Sequence, residues 1–320
     1  MAEQIQGKRL NSKATQTLLA FSSLILLIII FTIASKNFMT PSNLITILLM
    51  TAVNGILAVG ITFIIITGGI DLSVGTVMTF SSVMAGVFIT MLGLPIAVGI
   101  IGAILAGAFC GFINGISIAK LGLPPFIATL GMMNVTKGLN LIVSGTKPIY
   151  FSDIPAFGQI AIKPIFGIPL GVVIFFAAAG LAAFILSKTV IGRYTFAIGS
   201  NEEAARLSGI NTGAWKIAIY SMSGGFFGIA GIVMASRLSS AQPALGAGYE
   251  MDAIAAAVIG GASLSGGEGG ILGTVIGAFI ITVLTNGLRI LSVPQEWQLV
   301  VTGIIVISAV YLDIVRRKVK

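Results

Sequence analysis

Long apolar runs separated by short polar punctuation dominate the chain. The clear runs are residues 18–34, 44–67, 96–119, 169–187, 217–234, 271–285 and 299–312. Many of them approach the roughly 20 residues a helix needs to cross a hydrocarbon core. They do not alternate apolar and polar positions as the short strands of a membrane barrel would. Punctuation by Gly, Pro, Asn and charge divides the chain into ten predicted helices. They cover about 17–34, 43–66, the stretch from the 67–73 break to about 91, 96–118, 126–143, 168–187, 215–235, 251–262, 271–288 and 296–314. The eighth is too short to span. Residues 144–167 read as an outer loop, 236–250 as a polar Gly-rich link, and 263–270 as a glycine break. The fold class is an all-α polytopic membrane protein of about ten transmembrane helices, one of them short or broken.

Composition agrees. Charged residues make up 9% of the 320, and mean hydropathy is +1.07. Soluble domains are about a quarter charged. The net charge of +8 does not point to nucleic acid, because the basic residues sit at segment ends, beside lipid head groups. Their distribution predicts orientation. With the N-terminus inside, the inner side receives Lys8, Arg9, Lys13, Lys120, Lys188, Arg193, Arg206, Lys216, Arg316, Arg317, Lys318 and Lys320. The outer side receives only Lys36, Lys147, Lys163, Arg237 and Arg289, with Lys137 ambiguous. Both termini and the polar island at 188–212 are therefore expected in the cytoplasm. The domain plan is a cytoplasmic tail at 1–16, a permease domain at 17–315 carrying that island, and a basic cytoplasmic tail at 316–320. The first apolar run is about as long as a span and has no small-residue cleavage site after it, so it reads as an uncleaved helix.

Ten helices also permit two inverted halves of five. Each half then holds a Gly-rich break with an acidic residue, at 68–71 and at 248–252. Paired interruptions of this kind point to a substrate path. Small residues recur at four-residue spacing at Gly107, Gly111 and Gly115, at Gly224 and Gly228, and at Gly273 and Gly277. These stripes predict close helix packing rather than chemistry.

The chain has no histidine and one cysteine, Cys110, which reads as a buried small apolar group. It has no P-loop signature. No catalytic residue, metal site or cofactor site is expected. All ten carboxylates fall at predicted segment ends or in loops, so a proton or sodium relay has little to stand on. Asp71 comes nearest to one, and capping the third helix is its simpler role. Asn54, Asp71, Asn114, Asn134, Lys137 and Asn140 are candidates for a path that carries a neutral, hydrogen-bonding solute. For each, helix–helix bonding is the plainer alternative. In the island, residues 201–209 predict a short helix: Asn201 as cap, Glu202 and Glu203 in the first turn, Gly209 as terminator. It reads either as a solvated loop helix or as a lever worked by a cytoplasmic motor.

Longer strings carry a resemblance. They are TGGIDLSVG at 67–75, PPFIATLG at 124–131, GRY at 192–194, NEEAARLSGIN at 201–211, and the run from AQP at 241 to SGG at 267. Together, in this order, they resemble the monosaccharide permease family of bacterial ABC importers, its ribose carriers above all. The resemblance implies a machine in the bacterial cytoplasmic membrane. A second copy of the chain would complete the path through the lipid. A cytoplasmic ATPase, itself holding ATP and Mg, would grip Glu202, Glu203, Ala204, Ala205, Arg206 and Gly209. A soluble sugar-binding protein would deliver the cargo. Two other functions remain open on the residues alone: a self-sufficient secondary carrier of a small neutral solute, and a structural subunit that conducts nothing.

Overall fold

The computed structural model describes the backbone of residues 2–318 and the side chains of residues 17–308, 310 and 311. It is built from helices. α1 (Ala2–Ala34), α2 (Pro41–Ile66), α3 (Val74–Gly86), α4 (Ile96–Ala119) and α5 (Pro125–Ser144) form the first half. α3 continues as a π-helical turn, Val87–Met91. The second half begins with β1 (Ile149–Tyr150), α6 (Pro155–Ile162), β2 (Pro164–Ile165) and β3 (Ile168–Pro169). Then come α7 (Leu170–Lys188), α8 (Val190–Ser200), α9 (Glu202–Leu207), α10 (Thr212–Leu238), β4 (Ser240–Ala241), α11 (Tyr249–Ile259), α12 (Ile271–Ile290) and α13 (Gln295–Lys318).

Among the described residues, eight helices are long and apolar enough to cross a membrane: α1 from Thr17, α2, α3 with its π turn, α4, α5, α7, α10 and α12. The all-α polytopic class therefore stands. The other two expected positions are taken by α11, only 11 residues long, and by α13. The helical backbone of α1 extends back through the expected N-terminal tail to Ala2. Of the basic C-terminal tail, Val319 and Lys320 lie outside the described residues.

The interior is made by α2, α3, α10 and α12, while α1, α4, α5 and α7 each leave an apolar face exposed. Glycine stripes set the closest approaches, as their spacing predicts. On α4 and α10, Gly107 and Gly224 lie against each other's carbonyls, and Gly111 against the Tyr220 carbonyl. Gly260 and Gly273 join α11 to α12 in the same way. Such contacts replace the hydrophobic drive that lipid cannot supply. Hydroxyls add interhelical bonds: Ser223 Oγ donates to the Gly60 carbonyl at 2.9 Å, and the Thr62 and Thr274 hydroxyls are 2.8 Å apart. Cys110 is buried.

Residues 144–167, expected as an outer loop, carry secondary structure of their own. β1 pairs antiparallel with β4, α6 buries Phe157 and Ala161, and the Phe151 and Phe157 rings stack with centroids 4.1 Å apart. Ser236 of α10 locks this layer down. Its Oγ accepts from the Ala161 N–H at 2.8 Å and donates to the Phe157 carbonyl at 2.7 Å. The 19 residues of α7, about 28 Å at 1.5 Å per residue, separate this layer from α8 and α9.

Candidate translocation path and coupling surface

The polar island folds as two helices. α8 lies along the bundle end, where Tyr194 meets Trp215 edge-on with ring centroids 5.0 Å apart. α9 then protrudes. Asn201 caps it as expected, its Oδ1 accepting from the Ala204 N–H at 2.9 Å. Gly209 ends it at φ +86°, in the left-handed region that a β-carbon disfavours. Two contacts hold it to the body: Ala205 is buried, and Glu202 accepts from Lys216 Nζ of α10 at 2.6 Å. Glu203 and Arg206 form an exposed ion pair at 2.7 Å. Such a pair adds little stability. The hydrogen bond and charge of Glu203 raise the Arg206 pKa. Ala204 is exposed, and so is Leu207, at 79%. Leu207 is the residue sequence reasoning passed over. It is an apolar side chain standing free on a charged helix, within the NEEAARLSGIN string at 201–211.

The path candidates divide into three groups. Asp71, Asn114 and Asn140 converge on the first break. Asp71 is buried, and its Oδ1 accepts from both the N–H of Ser73 (2.7 Å) and its hydroxyl (2.6 Å). The Asn114 amide donates to Ser73 Oγ at 3.1 Å. The expected capping role is thus corrected. Ser73 occupies the N-cap position of α3, and Asp71 fixes Ser73 through a turn two residues earlier. Its Oδ2 has no partner among the described residues. Asn140 donates to the Thr76 carbonyl at 3.3 Å, tying α5 to α3. The second group is Asn54 alone, buried on α2. The third is Asn134 and Lys137, exposed on α5 near Gly131 and Gly138, which have open space beside them. The Asn134 amide turns back on its own helix, donating to the Leu130 carbonyl at 3.2 Å.

The segments flanking the two breaks meet. Gly75, at the start of α3, lies backbone to backbone against Gly246. A β-carbon on Gly75 would stand 3.0 Å from Glu250 Oε2. Glu250 in turn accepts from the Gly248 N–H at 3.1 Å. Sequence reasoning placed Glu250 in the second break but missed it as a site residue. It also missed three threonines on this seam. Thr129 Oγ1 accepts from the Leu72 N–H at 3.2 Å, and Thr136 Oγ1 donates to Thr76 Oγ1 at 2.8 Å. Hydroxyls are common in apolar helices, and one sequence does not reveal which find partners across a gap.

A multi-pass bundle whose interrupted helices meet inside it, with a charged helix standing off one end, has the build of a transport protein of the membrane. The comparisons give the family. Residues 43–310 match the family described as branched-chain amino acid transport system / permease component, and the chain belongs to it. It is similar to the ribose import permease protein RbsC of Escherichia coli, 40% identical over 97% of this chain and 98% of the relative. The RbsC protein of Bacillus subtilis is 43% identical over 97% of each. The fructose import permease protein FrcC of Rhizobium meliloti is 37% identical over 90% of this chain and 82% of the relative. No solved structure matches.

Proposed function

We propose that this chain is the membrane-spanning subunit of an ATP-driven importer of a monosaccharide, D-ribose. The observation that carries the reading is α9: a capped, pinned and otherwise exposed helix on a chain without a P-loop, similar from end to end to ribose import permeases. A separate cytoplasmic ATPase binds ATP and Mg and grips Glu202, Glu203, Ala204, Ala205, Arg206 and Gly209, with Leu207 at the centre of the contact. A soluble sugar-binding protein delivers the cargo on the far side. A second copy completes the path. The polar face of α5 supports this, because Asn134 and Lys137 face outward from a helix that lipid would otherwise cover. The path runs past this face and the junction of the two breaks, so Asn54, Asp71, Asn114 and Asn140 shape its wall while Asn134 and Lys137 line it. With α13 counted as a crossing and α11 as the short or broken member of the set, the plan is ten membrane segments in two inverted halves of five. Both termini and α9 then face the cytoplasm of a bacterium, in agreement with the basic bias.

Reconstitution tests the reading. Vesicles holding the chain should accumulate ribose only with the ATPase, ATP and binding protein present. The rival is a secondary carrier, favoured by one observation: Asp71 is the most deeply buried carboxylate among the described residues. Accumulation on a proton or sodium gradient alone, abolished by Asp71→Asn, would establish the carrier instead.

A further inference from the structure

Just before α9 begins, three backbones touch with no side chain between them. Gly199, in the last turn of α8, lies against the carbonyl of Ile66, the last residue of α2. That carbonyl accepts from the Gly267 N–H at 2.9 Å. A β-carbon on Gly199 would sit 2.6 Å from the Gly267 nitrogen. One on Gly266 would sit 2.6 Å from the Gly199 carbonyl oxygen and 3.0 Å from the Gly68 nitrogen. Gly266 and Gly267 both hold positive φ, +80° and +76°, and Ser200 Oγ lies 2.9 Å from the β-carbon position of Gly267. The end of α8, the start of the 67–73 break and the 263–270 break therefore form one clasp.

This placement has a mechanical consequence. Asn201, which caps α9, is two residues beyond Gly199. Asp71, which fixes the start of α3, is five residues beyond Ile66. Side chains at such a junction could change rotamer and absorb a displacement. Contacting backbones cannot, because close-packed interiors transmit strain. A push on α9 moves Ile66 and Gly267 with it, and through them the segments that lead to the meeting of the two breaks.

We infer that Gly199, with Gly266 and Gly267, is a positioning residue that conveys the movement of α9 to the 67–73 and 263–270 breaks together. The inference rests on the importer reading of α9. It predicts a specific uncoupling. Gly199→Ala pushes the three backbones apart but leaves the outer face of α9 intact, so the ATPase still docks and hydrolyses ATP while less sugar moves per ATP. Coupling between sites in proteins typically spans about 5- to 150-fold, and the loss should be about fivefold or more. Gly180→Ala, with open space beside it, is the control and should match wild type.

The test uses the full transporter in lipid nanodiscs, with a non-hydrolysable ATP analogue and hydrogen exchange as readout. In wild type, the analogue should change protection in 201–209, 63–73 and 260–270 together. In Gly199→Ala, 201–209 should still become protected while the two breaks stop responding. Wild-type sugar movement per ATP in Gly199→Ala would overturn the inference. So would protection of 201–209 in wild type with no change in either break. That wild-type arm needs no variant, and it decides the matter if Gly199→Ala fails to assemble. Failure of the importer reading looks different: 201–209 stays unprotected, no ATP-dependent uptake occurs, and the inference falls with it.

Discussion

Gly224 and Gly225 are adjacent on α10, yet alanine should act on them in opposite directions. A β-carbon on Gly224 would meet the Gly107 carbonyl, with the Gly111 nitrogen at 3.1 Å, both backbone atoms of α4. Neither can rotate away, so α4 and α10 must separate. On Gly225 the same carbon meets nothing within 4 Å. Both substitutions share the gain of replacing glycine in a helix interior, about 1 kcal/mol. That gain cancels when the two are compared. What remains is the cost of overpacking at Gly224, about 1–3 kcal/mol. Gly225→Ala should therefore equal or exceed wild type in stability, and Gly224→Ala should be about 1–3 kcal/mol less stable than Gly225→Ala. Unfolding of the purified chain in mixed micelles, by titration with a denaturing detergent and tryptophan fluorescence, gives both midpoints in one experiment. Equal midpoints, or a lower one for Gly225→Ala, would show that the α4–α10 seam is not packed glycine on backbone.

Gly209→Val forces a β-branched residue to φ +86°, a strain of about 1–3 kcal/mol. It should misplace the end of α9 and suppress ATP-driven uptake while membrane insertion, followed by fractionation, stays normal. Leu207→Ser removes an exposed side chain, so stability should change by less than about 0.5 kcal/mol; recovery of the ATPase subunit by pull-down should nonetheless drop. Asp71→Asn keeps an oxygen to accept both bonds from Ser73, so much of the ATP-driven uptake should survive, and its complete loss would give the charge itself a role. Ser236→Ala removes the hydroxyl that bonds the Ala161 N–H and the Phe157 carbonyl, a net loss of about 0.5–1.5 kcal/mol per bond. Hydrogen exchange across 155–169 should quicken, and unchanged protection would count against the locking role of Ser236.

What could be read from the sequence was whatever lies in local pattern. The apolar runs gave the spans, because a bilayer demands a length of apolar chain and little else. Asn201, Glu202 and Gly209 gave α9, because caps and terminators act within a few residues of themselves. The glycine stripes of α4 and α10 announced close packing, though not that they pack on each other. Long-range pairings left no such trace. Ser236 is 75 residues from Ala161, and nothing near either one shows that a serine hydroxyl would turn a supposed loop into a packed layer. Asp71 marks the boundary most clearly. Its neighbours Gly69 and Ser73 read as a helix start, and capping was the natural role. The carboxylate instead accepts from the Ser73 N–H and hydroxyl, and Asn114, 41 residues beyond Ser73, holds that hydroxyl from α4. The same limit applies to the breaks. Each was visible as a local cluster of glycine and acid, but their contact at Gly75 and Gly246 is a property of the packed bundle. Where two interrupted helices meet, backbone polar groups free of helix bonds come together in an otherwise apolar interior. Such groups can bind a solute rich in hydroxyls, and this is the physical ground for proposing that the path runs past the junction of the breaks as well as past the polar face of α5.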